Sequence, residues 1–197
     1  MSSQLTFGPA LDERERVAAY RLRYDELIAR GWGTPSDYPD GLERDEYDES
    51  AVLVVARRAD EVVGSVRLIV DATAVERLLP EYGIEDGAVP VSGTAVAGRY
   101  MLARPYRRSR EAAVGLLAAL WRAAVEHGVE RGVTFQTEAS IRWCGLHGAP
   151  VKVIGPARQD RGEWRYPLLV DTDVVAAFAA SATQRERELM PLHGKAG

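Results

Sequence analysis

Cysteine and histidine are scarce in this chain of 197 residues, which has one cysteine, Cys144, and three histidines. A lone thiol excludes an internal disulfide, and no Cys/His spacing suits zinc, so no metal is expected. Long apolar runs are also missing. No stretch reaches the length that spans a bilayer, and the first residues, MSSQLTFGPALDERER, lack the charged-then-apolar layout of a signal peptide. A cytoplasmic protein with no membrane span is the expectation. Nor does positive charge dominate: 25 Lys and Arg stand against 29 Asp and Glu, a net charge of −4. General nucleic-acid binding needs a basic face, and this balance argues against it. The G-x-S-x-G pattern of a serine-hydrolase elbow is absent too.

What remains is ordinary globular composition, 46% hydrophobic and 27% charged, without internal repeats or low-complexity linkers. The length suits one domain over residues 1–197 with a sizeable core. Within it the reading is an N-terminal cap helix at about 11–29, a core at about 50–171 and a C-terminal helix at about 172–187. Asp12–Ile28 has Val17, Tyr20, Tyr24 and Leu27 in helical steps, with charge on its other faces, so a helix lying on the surface is predicted. Arg30–Asp40 reads as a loop in which Trp32 serves as a lid or packing anchor. Ala51–Arg58 and Glu61–Asp71 are β-branched and apolar, and Arg58-Ala59-Asp60 between them predicts a hairpin. The acidic segment from Glu43 to Glu49 precedes it, either as a solvated loop or as carboxylates at a pocket mouth awaiting an ammonium group. A short helix, Ala74–Leu79, is expected in the connection that follows.

The rest of the chain is organised around 98–132. An apolar strand, Arg99–Ala103, leads into a basic turn with Arg104, Arg107, Arg108 and Arg110, and then into a helix, Glu111–His127. Helix N-termini offer unpaired N–H groups and partial positive charge, so this entrance suits a phosphate or pyrophosphate. Strands at Val133–Thr137, Pro150–Gly155 and Gly162–Asp171, helices at Glu138–His147 and Thr172–Arg187, and a frayed tail from Pro191 complete an α/β arrangement with a mixed central sheet.

The strand, turn and helix resemble the donor-binding segment of the GCN5-related N-acyltransferases, which holds the pyrophosphate of coenzyme A. Four further signatures resemble one branch of that superfamily, the acyl-homoserine-lactone synthases and N-acyl amino acid synthases. They are Tyr20-Arg21-Leu22-Arg23-Tyr24, Asp45-Glu46-Tyr47-Asp48, Val63-Gly64-Ser65-Val66-Arg67-Leu68 and Gly98-Arg99-Tyr100. Each is weak alone, but in this order and at these separations they carry the resemblance from about residue 11 to about residue 171. The resemblance implies a GNAT-like fold whose fourth strand carries a bulge and splays from the fifth. A phosphopantetheine thioester would lie in the resulting slot along Met101–Ala103, with backbone N–H groups near Met101 and Leu102 polarising its carbonyl. Donor contacts would come from Ala103, Arg104, Arg107, Arg108, Ser109 and Arg110. Arg23, Asp45, Asp48, Arg67 and Arg99 would form a network ordering the N-terminal cap, whether purely structural or in contact with substrate.

Three departures from the family pattern bear on mechanism. The glycines of the donor loop are replaced by Arg107-Arg108-Ser109-Arg110-Glu111-Ala112, which crowds the approach to a free pyrophosphate and favours a donor arm carried on acyl carrier protein. The lactone synthases' Glu three residues before the donor-strand Arg is Val96, which moves no proton, so Glu138 is the replacement candidate for general base. The position of the acetyltransferases' leaving-group Tyr is Cys144. The expected activity is therefore transfer of an acyl group from acyl carrier protein, or from acyl-coenzyme A, to the amine of an amino acid or similar metabolite. No covalently bound cofactor is expected. The competing readings are a small-acyl-CoA acetyltransferase and a non-catalytic sensor that keeps the fold.

Overall fold

The computed structural model describes residues 4–146 and 151–171. Among these residues eight strands form one mixed sheet: β1 Leu5–Pro9, β2 Val52–Arg58, β3 Glu61–Ile69, β4 Thr94–Leu102, β5 Arg131–Thr137, β6 Lys152–Val153, β7 Arg158–Asp160 and β8 Glu163–Asp171. Their order is β1-β2-β3-β4-β5-β8-β6, with β7 paired to β8. Only β4 and β5 pair in parallel, as expected where a helix connects the two strands. The helices are α1 Glu13–Ala29, α2 Ala72–Glu81, α3 Arg110–Glu126 and α4 Glu138–Leu146.

Local chemistry accounts for these boundaries. Asp12 accepts the Glu15 N–H at 2.9 Å and starts α1; Asp71 and Ser109 cap α2 and α3 in the same way. α3 packs on one face of the sheet, with Ala112, Leu116, Ala119 and Ala123 against Val54, Val66, Leu68 and Leu102. Gly115 on that helix admits Phe7 of β1, since a Cβ there would lie 2.3 Å from the ring. On the opposite face Ala19 and Tyr20 of α1 cover Leu53 and Val55, while Val75, Leu78 and Leu79 of α2 cover Ile69, Val96 and Val133. The result is the expected α/β architecture, a mixed sheet flanked by helices.

Several elements depart from the sequence reading. β1 was not expected, because LTFGP contains Gly and Pro and becomes a strand only by pairing with β2 at the sheet edge, where proline is tolerated. β4 begins at Thr94 rather than Arg99; Ala95, Ala97 and Gly98 dilute the β-branched Thr94 and Val96, and the place between β3 and β5 fixes the stretch as strand. β6 has two residues rather than six, β7 was not foreseen, and α2 is longer than Ala74–Leu79. In α1 the buried residues are Ala19, Tyr20, Arg23, Glu26 and Leu27, whereas Val17 is on the open side. A hydrophobic pattern assigns charged residues to solvent and cannot foresee two of them turned inward with partners. The helix expected at Thr172–Arg187 and the tail lie outside the described residues.

Candidate active site

The slot begins with an irregularity in β4. Ser65 pairs with Met101 and Arg67 with Gly98, so Arg99 and Tyr100 together oppose Val66, which is a β-bulge. Arg99 takes φ +56 there, a left-handed conformation that costs a side-chain-bearing residue energy. Parallel pairing of β4 with β5 runs from Thr94↔Arg131 to Ala97↔Thr134 and stops. Beyond it the two strands part, as the expected splay requires. Ala103 donates its N–H to Val63 O at 2.9 Å. By antiparallel alternation Met101 also donates toward β3, which leaves the Leu102 N–H pointing at the opening.

Above this slot lies a cluster of buried charge. Arg23 of α1, which has no exposed surface, donates to Asp48 Oδ1 at 2.7 Å. Arg67 of β3 donates to Asp48 Oδ2 at 2.9 Å and also to Asp45. Arg99 donates to Asp45 Oδ2 at 2.8 Å and pairs with Glu43. Arg161, at the turn between β7 and β8, reaches Glu43 Oε1 at 3.2 Å. The bulge thus turns Arg99 toward Asp45, the carboxylate it shares with Arg67. Burial opposes the charge on Asp45, yet Arg67 and Arg99 outweigh it and hold its carboxyl at about 2. Burial likewise works against Arg99, but Glu43 and Asp45 more than offset it and raise its pKa. All five residues expected in the cap network meet here, and the three carboxylates that could have received an ammonium are engaged by arginines.

The other candidates are distributed around the slot. Trp32 is held between two guanidiniums, Arg30 at 4.7 Å and Arg165 of β8 at 5.3 Å from its ring centre, so the loop after α1 is anchored across the opening. In the basic turn Arg104 and Arg108 are exposed, and Ser109 accepts the Ala112 N–H at 3.1 Å. Arg107 donates to the buried Glu26 of α1 at 2.8 Å, so it ties the turn to the cap. Arg110 opens α3, and Ala103 is half-buried at the end of β4. Glu138 starts α4 with its carboxylate exposed and 2.9 Å from Arg142. Cys144 is half-buried on α4, and burial pushes its thiol pKa up. Val96 is 1% exposed in the core beside Val133.

Sequence reasoning passed over Glu43, Arg161, Glu26 and Arg165 as site residues. Glu43 stands in the acidic run from Glu43 to Glu49, and the pattern Asp160-Arg161-Gly162 is the signal of a two-residue hairpin turn. Nothing local signals that Glu26 is turned inward. Among the described residues no group of three or more His, Cys, Asp or Glu is arranged to hold a metal ion. No helix among them is long and apolar enough to cross a membrane.

A bulged β4, a splayed β5 and a helix starting at the basic turn define an acyltransferase of the GNAT-like class. Residues 18–137 match the family model described as N-acyl amino acid synthase FeeM, and the chain belongs to that family. No curated protein sequence matches it. Solved structures share the fold at low identity. A CoA-dependent acyl-homoserine lactone synthase, BjaI, solved with MTA, is 20% identical with TM-score 0.74, over 95% of this chain and 91% of that one. The AHL synthase LasI is 19% identical with TM-score 0.71, over 91% and 96%. FeeM, an N-acyl amino acid synthase from uncultured soil microbes, is 11% identical with TM-score 0.62, over 91% and 98%.

Proposed function

We propose that this acyltransferase, acting as a single domain over residues 1–197, moves an acyl group from a phosphopantetheine thioester on acyl carrier protein to the amine of an amino acid. The observation that carries the reading is the end of β4–β5 pairing at Ala97 and Thr134, which opens a slot beside an outward-facing Leu102 N–H. The thioester carbonyl lies against that N–H, the Met101 side of the strand shapes the arm's path, and a fixed donor of this kind is worth roughly 10²–10³ in rate. The amine attacks the carbonyl directly, and the acyl group never resides on the enzyme. Glu138, at the mouth where β5 meets α4, takes the amine proton through solvent. Cys144 gives its thiol proton to the departing thiolate and recovers one from solvent, to which Glu138 passes the proton it took.

Exposed Arg104 and Arg108 favour the carrier-bound donor, since a carrier protein is acidic around its phosphopantetheine serine and opposite charge speeds encounter. Ala103, Ser109 and Arg110 flank the arm at the start of α3. Coenzyme A is the alternative donor, and BjaI is described as CoA-dependent. The test compares kcat/KM for acyl carrier protein and acyl-coenzyme A in the wild type and in Arg104→Ala/Arg108→Ala. A loss of about tenfold or more with the carrier protein that shrinks at high salt, and little loss with coenzyme A, supports the reading. Equal losses, or a wild type active with coenzyme A alone, would reject the carrier protein. The buried valine at position 96 favours one other reading, a sensor that binds ligand without turnover.

A further inference from the structure

The turn between β7 and β8 contains a costly residue. Arg161 has φ +52 and Gly162 φ +78, so both central positions of this two-residue hairpin are left-handed. Such turns favour Asn or Gly at the first position, and an arginine there forfeits turn stability. Strained non-glycine residues are tolerated where the surrounding structure holds them in place, and they cluster at functional sites. The side chain of Arg161 extends from β8, on the far side of β5, to Glu43 on the β4 side, and therefore spans the slot mouth. Its neighbours Asp160 and Glu163 are turned instead to Arg165, at 3.3 and 3.1 Å.

Glu43 is 3% exposed and already pairs with Arg99, with Arg23 a further 3.9 Å away. In the whole cluster four guanidiniums, of Arg23, Arg67, Arg99 and Arg161, face three carboxylates, of Glu43, Asp45 and Asp48. One positive charge is left over. Two buried guanidiniums also keep unpartnered nitrogens, Arg23 Nε and Nη2 and Arg67 Nε. Arg23 and Arg67 are enclosed, whereas Arg161 retains about a fifth of its side-chain surface (21%) and stands at the rim. An anion arriving at the mouth meets Arg161 first, and a carboxylate matches the guanidinium fork with two parallel bonds.

We infer that Arg161 binds the carboxylate of the acyl acceptor, so that the enzyme selects amino acids over simple amines. This rests on the acyltransferase reading above and deepens it. The acceptor carboxylate shares Arg161 with Glu43 and neutralises the excess charge, and its amine is left facing the thioester in the slot. A simple amine brings no such anion and adds its own positive charge to a cluster already in surplus.

The experiment measures N-acyl product for leucine and phenylalanine against isopentylamine and phenethylamine, in the wild type and in Arg161→Asn. Asparagine suits the left-handed turn position, so this variant should fold with an unchanged or higher Tm while it lacks the guanidinium. The wild type should prefer the amino acids by about 100-fold in kcat/KM, and Arg161→Asn should reduce that preference about tenfold or more through KM for the amino acid, with donor KM unchanged. Arg161→Lys, which keeps the charge without the fork, should recover part of it. Equal acylation of both acceptor types by the wild type, or an equal loss for both in Arg161→Asn, would overturn the inference while the acyltransferase reading stands. If no acceptor gives N-acyl product with either donor form, the acyltransferase reading fails and this inference with it.

Discussion

Asp48 holds Arg23 with one carboxylate oxygen and Arg67 with the other, at 2.7 and 2.9 Å. A single short side chain thus fastens the cap helix α1 to β3, under conditions in which all three groups are buried. Asp48 Oδ2 also accepts the Asp45 N–H at 3.0 Å, so the acidic segment is folded around the same carboxylate.

Replacing Asp48 by Ala leaves two guanidiniums buried without this counter-charge. Breaking a buried pair by removing one partner costs about 3–5 kcal/mol. Urea unfolding of Asp48→Ala should show a loss of that order. A loss below about 1 kcal/mol would mean that the cluster is open to water and contributes little.

Acid should weaken the same cluster through Asp45. Its folded pKa of about 2 lies below the ordinary 3.8, so the charged form is favoured in the folded state. That stability is fully present above the unfolded value and is lost as pH falls from about 4 through about 2. Unfolding free energy measured across this window should fall less steeply in Asp45→Asn than in the wild type. Parallel curves would show that Asp45 is not among the groups responsible.

Gly64 of β3 leaves room for Leu102 of β4, Ala56 of β2 and Leu116 of α3 to close over it. A Cβ at this position would lie 2.7 Å from Leu102 Cδ2 and 3.2 Å from Ala56 Cβ. Overpacking of this kind costs about 1–3 kcal/mol, and the strain falls on Leu102 at the slot. Gly64→Ala should lower both Tm and kcat. An unchanged kcat with a lower Tm would separate the packing from the slot's geometry.

Much of this site was legible because its motifs are short and local. Val63-Gly64-Ser65-Val66-Arg67-Leu68 is β-prone, and the arginine within it is conspicuous in an apolar strand; Asp45 and Asp48 sit three residues apart in a tight turn. The strand, basic turn and helix from β4 to α3 are likewise set by local propensity and a serine cap. What escaped reading depends on distant chain segments. β1 exists only because β2 offers it an edge, Glu26 is buried because Arg107 lies 81 residues away, and Arg161 meets Glu43 across 118 residues. Hydrophobic periodicity does not encode such partnerships: in α1 it places Tyr20 and Leu27 inside but also Val17, which is exposed, and it misses the buried Arg23 and Glu26.

Glu138 is exposed and paired with Arg142, so its proposed part in proton transfer is open to a direct kinetic test. Glu138→Gln should lower kcat by about 10²-fold or more if the carboxylate takes the amine proton, with acceptor KM nearly unchanged. An unchanged kcat would remove Glu138 from the mechanism and leave the proton to solvent.

Acyl transfer itself is tested most directly by thiol release together with product mass. The purified protein is mixed with pooled amino acids and with thioesters of several chain lengths, on acyl carrier protein or on coenzyme A. Thiol release with the carrier-bound donor, accompanied by an N-acyl amino acid mass, is the expected result. Folded protein that releases no thiol from either donor would contradict it and make the chain a ligand-binding member of an enzyme family.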